Sequence, residues 1–337
     1  MRCLITGGAG FIGSHLTERL LREGYNVTIV DDLSSGSMSN IAHLEHKAGF
    51  QCFIDTILNR PLLSQLIDDC DVVFHLAAAV GVKLIVESSV RTVETNIKGT
   101  QAVLECANEK KRKVILASTS EVYGKTTKVP FSEDDDIVLG PSSKSRWSYA
   151  CSKAVDEFLG LAYCREFALP TVVARLFNTI GPRQIGRYGM VVPRFMRQAL
   201  ENKPLTIYGD GEQSRCFTYV SDAVEWLLRL ALSDEAVGEV FNVGNPQEVT
   251  INELARRVIA ITGGKGKIAY IPYEEAYRKG FEDIARRVPD ISKVQKITDY
   301  SPLVDLDEAL QLIRDWFVDV PNARVAFEYF SSDSPLG

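Results

Sequence analysis

The sequence lacks the patterns that mark metal-binding and disulfide-linked proteins. Its 7 cysteines form no Cys-x-x-Cys pair, and only two of its 4 histidines, His43 and His46, lie close together. Neither pattern is typical of a structural metal site, and an odd number of cysteines leaves at least one unpaired. Most of the cysteines lie in apolar stretches. We therefore interpret them as reduced, buried side chains and expect a cytoplasmic protein without a metal.

Long apolar runs and an excess of positive charge are also missing. No apolar run approaches the roughly 20 residues that cross a bilayer, and the first predicted strand begins at Arg2, so we expect no signal peptide before it. The 38 basic residues are outnumbered by 44 acidic ones, which gives a net charge of −6. A mildly acidic chain is a poor candidate for binding nucleic acid or an anionic membrane. A small anionic ligand remains possible, because a few arginines and a helix dipole suffice for one.

The pattern that is present predicts an α/β protein. The 337 residues are 45% hydrophobic, and that length fits one large domain or two fused ones. Short β-branched runs alternate with segments of helical period, the runs at 2–6, 27–30, 71–76, 113–117 and 170–177 and the helical segments at 11–23, 61–68, 88–109 and 147–168. This alternation predicts βαβ units and a doubly wound parallel sheet of the Rossmann type.

After about residue 180 the elements become shorter. Helical segments at 190–202, 221–232, 250–262 and 306–318 alternate with brief strands at 205–208, 216–219, 239–242 and 267–271. We therefore predict a Rossmann domain over 1–180, a smaller α/β substrate lobe over 181–325 and a frayed polar tail over 326–337.

The first strand is followed by a glycine pattern that suits a dinucleotide. Gly7, Gly10 and Gly13 in TGGAGFIG lie between a strand and a helix, where a pyrophosphate can approach the backbone and the N–H groups of the helix. Asp31 ends the next strand, where a carboxylate can accept both ribose hydroxyls. The same carboxylate repels a 2′-phosphate. The sequence therefore predicts NAD rather than NADP as cofactor.

A second pattern predicts acid–base chemistry. Tyr149 and Lys153 form Tyr-x-x-x-Lys in a helical segment, so both side chains lie on one helix face. An ammonium there would lower the pKa of the phenol, as a general base for an alcohol requires. The preceding strand ends in LASTSEVYG at 116–124, and doubly wound folds carry their chemistry at that end of the strands.

Together with HLAA (75–78), NIKGT (96–100), RLFNTIGPRQ (175–184) and RCFTYVSD (215–222), these motifs resemble the extended short-chain dehydrogenase/reductase family, which contains nucleotide-sugar epimerases, dehydratases and decarboxylases. The resemblance implies that Thr119 holds the sugar O4 hydroxyl, that Tyr149 takes its proton and that NAD accepts the C4 hydride. It also implies that Lys153 binds the nicotinamide ribose and that the 88–109 and 147–168 helices form a homodimer interface.

The resemblance assigns further residues to the two ligands. Those implied for NAD are Gly7, Gly10, Phe11, Ile12, Gly13, Asp31, Leu76, Ala77, Ala78, Lys83, Asn96, Tyr149 and Lys153. Those implied for a UDP-sugar are Thr119, Ser120, Glu121, Asn178, Arg187, Val192, Tyr208, Arg215 and Arg286, with Arg287 as the alternative to Arg286. The sequence departs from the family where relatives often have Gly-Asp-Ile, because it has Asp55-Thr56-Ile57. The adenine contact at that point is left open.

The oxidised sugar has several fates, and Glu121 bears on the choice. In this family a carboxylate at that position is expected in dehydratases and decarboxylases, but Ser120 stands where a dehydratase usually has an acid. RWSYACSK and GFEDIARRVP resemble segments of enzymes that act on UDP-glucuronate, and Arg187 lies in a loop expected near C6, where it could pair with a carboxylate. A carboxylate held in this way keeps its charge. The sequence therefore favours a UDP-glucuronate 4-epimerase, then a UDP-glucuronate decarboxylase, then a UDP-glucose 4-epimerase or a dehydratase, with a non-catalytic NAD-binding sensor as the remote alternative.

Overall fold

The fold is built on a sheet of seven parallel strands, seen in a computed structural model that describes residues 1–79, 89–186, 190–264, 266–272, 284 and 286–320. In chain order, the strands of this sheet and of the smaller two-stranded sheets are β1 (Arg2–Thr6), β2 (Asn26–Asp31), β3 (Phe50–Ile54), β4 (Val72–His75), β5 (Lys113–Thr119), β6 (Thr171–Leu176), β7 (Thr179–Ile180), β8 (Leu205–Tyr208), β9 (Ser214–Cys216), β10 (Thr218–Tyr219), β11 (Val240–Val243), β12 (Glu248–Thr250) and β13 (Ile268–Ile271). The large sheet has the order β11-β6-β5-β4-β1-β2-β3. The predicted Rossmann architecture is confirmed.

The helices follow the apolar periodicity of the sequence closely. They are α1 (Phe11–Arg22), α2 (Arg60–Asp68), α3 (Ser89–Lys110), α4 (Arg146–Phe167), α5 (Val191–Leu200), α6 (Val220–Leu232), α7 (Ile251–Ile261), α8 (Ser292–Thr298) and α9 (Leu306–Asp319). Side-chain caps mark several starts: Asn59 accepts from the third residue of α2, Thr250 from Glu253 N in α7, and Asp305 from Glu308 N in α9. Each predicted helix is present within two residues of its predicted ends.

The large sheet is covered on both faces. One face packs against α1 and α6, with Leu16, Leu20 and Trp226 fully buried there, and the other packs against α2 and α3. Because the strands are parallel, their carboxyl ends meet at one edge. The strand order turns between β1 and β4, where a doubly wound sheet leaves a crevice for a ligand.

The chain after residue 180 contributes both to the large sheet and to a smaller lobe. It returns to the large sheet to add β11 beside β6 and to lay α6 over the sheet core. The remaining elements form a smaller lobe in which β8 pairs with β13, and Phe195, Leu205 and Leu254 are buried among α5, α7 and α9. The predicted boundary at residue 180 therefore does not divide the chain into two contiguous blocks.

Two predicted absences can be examined over the described residues. In that part of the chain, no helix has the length and apolar character to cross a membrane. The same residues contain no group of three or more His, Cys, Asp or Glu side chains placed to hold a metal ion. The tail predicted over 326–337 lies outside the described residues.

Candidate active site

The loop between β1 and α1 brings backbone where a side chain cannot fit. Gly7 has a φ of +75°, and a Cβ on it would lie 2.9 Å from Ala77 N. A Cβ on Gly13 would lie 2.1 Å from Gly7 O. The glycine spacing is therefore required by the close contact of the loop with the first turn of α1 and with the segment after β4. This cradle opens into the cavity and fits a pyrophosphate against the helix N-terminus.

Asp31 at the end of β2 is buried, with 7% of its surface exposed. Its Oδ2 accepts a hydrogen bond from Ala9 N at 2.9 Å, and its Oδ1 accepts from Leu33 N at 2.8 Å. Burial raises the pKa of this carboxyl, and these backbone donors oppose the shift. The side chain is thus locked in position on the cavity wall, where a ribose can reach its remaining lone pairs.

One cavity is lined both by these residues and by the predicted catalytic ones. The cavity has a volume of 670 Å³ and is lined on the β1–β4 side by Gly7, Gly10, Phe11, Ile12, Gly13, Asp31, Leu76, Ala77 and Ala78. On the other side it is lined by Thr119, Ser120, Glu121, Tyr149, Lys153, Asn178, Val192, Tyr208 and Arg215. The structure therefore brings most of the predicted ligand residues around one space.

Asn96 is an exception. It is not among the residues that line the cavity, and only 1% of its surface is exposed. Its Oδ1 accepts from Ala79 N at 2.8 Å and its Nδ2 donates to Ser152 Oγ at 3.1 Å. The predicted contact of Asn96 with the cofactor stays a prediction. In this structure its hydrogen bonds join the backbone after Ala78 to α4. Lys83 and Arg187 lie outside the described residues.

The segment at Asp55–Ile57 lines the cavity beyond Asp31. Asp55 Oδ1 accepts from Thr56 N at 2.7 Å, and Asp55 Oδ2 accepts from Asn59 Nδ2 at 2.7 Å. The carboxylate thus stabilises its own turn at the start of α2, so that the backbone and the Ile57 side chain form the wall here.

Thr119 and Tyr149 meet at the floor of the cavity. Thr119 ends β5 and caps the short helix Ser120–Tyr123, while Tyr149 comes from the first turn of α4. Both side chains line the cavity, and the Thr119 hydroxyl opposes the rise in the pKa of the Tyr149 phenol. This pair can therefore hold one sugar hydroxyl between a threonine and a potential base.

Lys153 lines the same cavity as Tyr149 and pairs with a carboxylate of its own helix. Its Nζ donates to Asp156 Oδ2 at 2.8 Å. Burial raises the pKa of Tyr149, and the negative charges of Glu121 and Asp156 add to the shift. The predicted lowering of the phenol pKa by Lys153 stays a prediction. In this structure the ammonium pairs with a carboxylate one turn further along α4.

Glu121 lies on the cavity wall between two arginines. Arg146 Nη2 donates to its Oε2 at 3.0 Å, and Arg287 Nη1 donates to its Oε1 at 2.5 Å. Burial alone would raise the pKa of Glu121, but the charges of Arg287 and Arg146 outweigh it and lower the pKa to about 2. The carboxylate is therefore an anion at neutral pH, fixed within the cavity beside Thr119 and Tyr149.

Arg286 and Arg287 point in different directions. Arg287 is 5% exposed and lines the cavity, whereas Arg286 lies outside it and pairs with Glu248 at 2.7 Å. Of the two arginines that the sequence offers for the substrate, Arg287 rather than Arg286 lies on the cavity wall. Neighbouring residues of an extended segment face opposite ways, so only one of the two can point inward.

The smaller lobe supplies the far end of the cavity. The Arg194 guanidinium lies 4.1 Å from the centre of the Tyr208 ring and donates to Thr206 O at 3.1 Å. Asn178 Nδ2 donates to Cys216 O at 2.9 Å, which ties the strand after β6 to β9. Sequence reasoning missed Arg146 and Arg194 as cavity residues. Each lies near a recognised motif, but an isolated arginine in a helix carries no signal that it faces a site.

Comparison with known proteins agrees with this site. The profile of the family described as GDP-mannose 4,6 dehydratase matches residues 4–313. The chain belongs to this family, a branch of the extended short-chain dehydrogenases/reductases that act on nucleotide sugars through NAD. The family match spans both the large sheet and the smaller lobe.

Individual relatives within the family differ in activity. The chain is 46% identical over 323 residues to a UDP-N-acetyl-alpha-D-glucosaminuronate decarboxylase of Bacillus cytotoxicus, covering 95% of this chain and 99% of that one. It is 37% identical to UDP-glucuronic acid decarboxylase 1 of Xenopus tropicalis, over 94% of this chain and 72% of that one. A solved UDP-glucuronic acid 4-epimerase from Bacillus cereus, in complex with UDP-glucuronic acid and NAD, is 33% identical, with a TM-score of 0.85 over 95% of this chain and 100% of that one.

Proposed function

We propose that the protein is an NAD-dependent decarboxylase of a UDP-hexuronate, either UDP-glucuronate or its 2-acetamido counterpart. The observation that carries the proposal is the Glu121 carboxylate, which Arg146 and Arg287 hold as an anion on the cavity wall. A hexuronate whose O4 lies between Thr119 and Tyr149 has its C6 carboxylate two bonds from C4, in the same part of the cavity. The proposal therefore places the decarboxylase before the 4-epimerase, whereas the sequence alone favours the 4-epimerase.

The charge on Glu121 explains why loss of CO₂ is favoured over retention of the carboxylate. Both arginines already direct a donor to Glu121, so they are not free to give a substrate carboxylate an exclusive pair. A substrate carboxylate placed here therefore shares these arginines with Glu121 and is held less strongly than in an exclusive ion pair. Its departure as neutral CO₂ breaks no exclusive pair. The two decarboxylase relatives described above add support that is independent of this electrostatic argument.

The residues of the β1–α1 loop fit NAD. Gly7, Gly10 and Gly13 leave room for the pyrophosphate, and Asp31 presents a fixed carboxylate to the adenosine ribose. Leu76, Ala77 and Ala78 line the wall beside the loop. NAD, when bound, supplies the acceptor for the C4 hydride and returns that hydride later, so that the reaction has no net redox change.

The side chains at the floor of the cavity manage the proton and the carbon–carbon bond. Tyr149 Oη takes the O4 proton while Thr119 orients the hydroxyl. Oxidation at C4 makes the sugar a β-keto acid, so the C5–C6 bond can break with its electron pair moving to O4 as an enolate. The Tyr149 phenol and the Thr119 hydroxyl then donate to that oxygen. A proton added at C5 restores the ketone before the hydride returns.

The second candidate is a UDP-glucuronate 4-epimerase. It is favoured by the solved Bacillus cereus relative and by Arg187, whose pairing with a C6 carboxylate is the basis of the sequence-derived ranking. The non-catalytic sensor stays as a remote candidate. It is disfavoured because Thr119, Tyr149 and Lys153 are all present and all line one cavity.

Product analysis separates these candidates. Purified protein with NAD is incubated with UDP-glucuronate and, separately, with UDP-N-acetylglucosaminuronate, and the nucleotide sugars are resolved by chromatography with mass detection. Release of CO₂ with a UDP-pentose or its 2-acetamido form supports the proposal. A UDP-hexuronate of unchanged mass and new retention time identifies the epimerase. Retained NAD without any product supports the sensor.

We also propose a homodimer through α3 and α4. These helices pack against each other, and Phe158 and Val90 expose 65% and 74% of their surfaces on them. Large exposed apolar side chains on paired helices favour burial against a second copy. Light scattering after gel filtration should give twice the 37.4 kDa chain mass, and Phe158→Glu should reduce it toward that of one chain. A monomeric wild-type protein would contradict this assignment.

A further inference from the structure

Arg183 belongs to the motif RLFNTIGPRQ but has no part in the proposed reaction. It is not among the residues that line the cavity, although Ile180 and Gln184 are. Its backbone has a φ of +69°, in the left-handed region that residues other than glycine seldom adopt. Such a conformation persists only where the surrounding structure stabilises it, and it is common near functional sites. The contacts of the Arg183 side chain therefore bear on why the chain turns in this way.

The Arg183 guanidinium reaches α1, the helix that begins at the dinucleotide cradle. Nη1 donates to Ser14 Oγ at 3.1 Å and Nη2 donates to Glu18 Oε1 at 2.5 Å. Burial raises the pKa of Glu18, but the charge and hydrogen bond of Arg183, with smaller contributions from His15 and His43, outweigh it and lower the pKa. The side chains of Arg183 and Glu18 are 18% and 26% exposed. The contact is therefore an ion pair that is largely shielded from water.

The segment that carries Arg183 is anchored in the smaller lobe. Ile180 in β7 is 3% exposed and packs in the apolar core that contains Phe195 and Leu254. Gln184 Nε2 donates to Thr179 O at 2.8 Å, which closes the turn on itself. Helix α1, in contrast, packs against the large sheet. The ion pair of Arg183 with Glu18 thus joins the smaller lobe to the cofactor helix.

We call residues 179–184 the wall segment, because Ile180 and Gln184 line the cavity, as does Phe11 at the start of α1. A Cβ on Gly181 would lie 3.2 Å from Phe11 Cε2. The wall segment therefore packs directly against the first turn of α1, where the cradle fits a pyrophosphate. Separation of the wall segment from α1 would widen the opening through which a bound dinucleotide leaves.

We propose that Arg183 is a positioning residue that holds the wall segment against α1 through Glu18 and thereby slows the dissociation of NAD. The ion pair lies outside the cavity lining, so it acts on retention of the cofactor and not on the chemical step. Slow release is compatible with turnover, because a cofactor that regains its oxidised form in each cycle does not have to leave. The inference depends on NAD as cofactor and goes beyond the proposed decarboxylation.

The dissociation rate of NADH tests the inference without any sugar. Full-length protein is equilibrated with NADH, an excess of NAD is added, and the decrease in the fluorescence of bound NADH gives the rate constant. We expect NADH to leave Arg183→Gln about tenfold faster than the wild type, since contacts in one ion-pair network contribute coupling of this order. An unchanged or slower release would overturn the inference, and so would a wild-type protein that binds no NADH.

Arg19 provides a matched control on the same helix. It pairs with Glu225 on α6 at 3.0 Å, and the two side chains are 24% and 16% exposed. This ion pair is shielded to a similar degree, but it joins two helices that both pack on the large sheet. Arg19→Gln should therefore leave the NADH dissociation rate near that of the wild type. An equal acceleration in Arg19→Gln would indicate general loosening of the structure and would contradict a specific role of Arg183.

A double-mutant cycle tests whether Arg183 acts through Glu18. Glu18→Gln removes the charge of the acceptor and should also speed the release of NADH. The double variant should release NADH no faster than the faster of the two single variants, because both substitutions remove the same contact. Independent effects that multiply in the double variant would refute the coupling. If Arg183→Gln does not fold, Glu18→Gln must by itself release NADH faster than Arg19→Gln, or the inference is wrong.

Failure of this inference is distinguishable from failure of the proposed function. A wild-type protein that releases NADH slowly but forms no product from either UDP-hexuronate contradicts the decarboxylase, while the comparison of Arg183→Gln with Arg19→Gln still decides the role of Arg183. A wild-type protein that forms product, with equal NADH release in these two variants, contradicts the role of Arg183 alone.

Discussion

The two sides of the cavity are built from different materials. The cofactor side consists of backbone, glycines and small residues from one short stretch of chain, where Gly7, Gly13 and Asp31 fall within a single strand–helix–strand unit. The substrate side consists of buried charged side chains from distant segments, since Glu121 and Arg287 are 166 positions apart. A site made of backbone is encoded locally, whereas a site made of paired charges depends on how the chain folds back.

The largest effect on turnover is expected from replacing Tyr149, the proposed base on the substrate side of the cavity. Tyr149→Phe removes the phenol hydroxyl that lines the cavity with Thr119 but keeps the ring. Turnover should fall by about 10³-fold, because general acid–base catalysis by one side chain supplies gains of this order. NAD affinity, measured by fluorescence titration, should stay near that of the wild type. Full activity in this variant would contradict the mechanism.

The next test uses the pair Arg286 and Arg287. Arg287→Ala removes a buried guanidinium and leaves the partly buried Glu121 with one partner, so the free energy of unfolding should fall by about 3 kcal/mol, with turnover reduced by about 100-fold. Arg286→Ala removes only an exposed pair with Glu248 and should leave stability and turnover close to those of the wild type. Urea unfolding and product formation measure both. Equal effects of the two substitutions would remove the distinction drawn between these neighbours.

On the cofactor side, Gly13→Ala should weaken NAD binding. Its new Cβ would lie 2.1 Å from Gly7 O, and overpacking of this kind costs about 1–3 kcal/mol, which corresponds to roughly a 10- to 100-fold loss in affinity. Gly24→Ala is the matched control, since Gly24 also lies in the β1–α1–β2 unit but has open space around its Cβ position. It should leave NAD affinity unchanged despite some backbone strain. Unaltered NAD binding in Gly13→Ala would show that the cradle is not required.

The smallest effect concerns pH. The folded-state pKa of Glu121 is lowered from 4.5 to about 2, so its ionisation stabilises the fold above the unfolded pKa. That contribution is lost as the pH falls from 4.5 toward about 2. Between pH 6 and pH 3 the wild type should lose about 1–2 kcal/mol more stability than Glu121→Gln, as measured by urea unfolding. Parallel pH curves for the two proteins would contradict the tight pairing of Glu121.

Much of the fold was predictable because its signals are local. Strand β1 is buried along most of its length and is followed at once by glycines, so both its identity and its end are visible in the sequence. Strand β3 was missed because it lies at the sheet edge with alternating partial exposure, which leaves no continuous apolar run. Helix α8 was missed because its seven residues are too few to show a helical period.

The site was predictable to the extent that its residues lie in motifs. The glycines, Asp31, Thr119 and Tyr149 line the cavity as their motifs imply. Asn96 and Arg286 do not, because a motif position does not state which side chains point inward. The pairing of Lys153 with Asp156 was also missed. Tyr149 lies one helical turn before Lys153 and Asp156 one turn after it, so helix spacing alone does not tell which of the two the ammonium contacts.

The sequence by itself determined the parallel sheet, the dinucleotide cradle and the residues that can move a proton from a sugar hydroxyl. These depend on apolar periodicity and on spacings within single elements, because the geometry of a helix, a strand or a turn is set by interactions among residues close in sequence. Only the tertiary structure decided that Glu121 is a fixed anion, that Arg287 rather than Arg286 faces it, and that Lys153 rests on Asp156. Each of these depends on charges buried together from separate segments, and their energies exist only once folding has excluded water from between them.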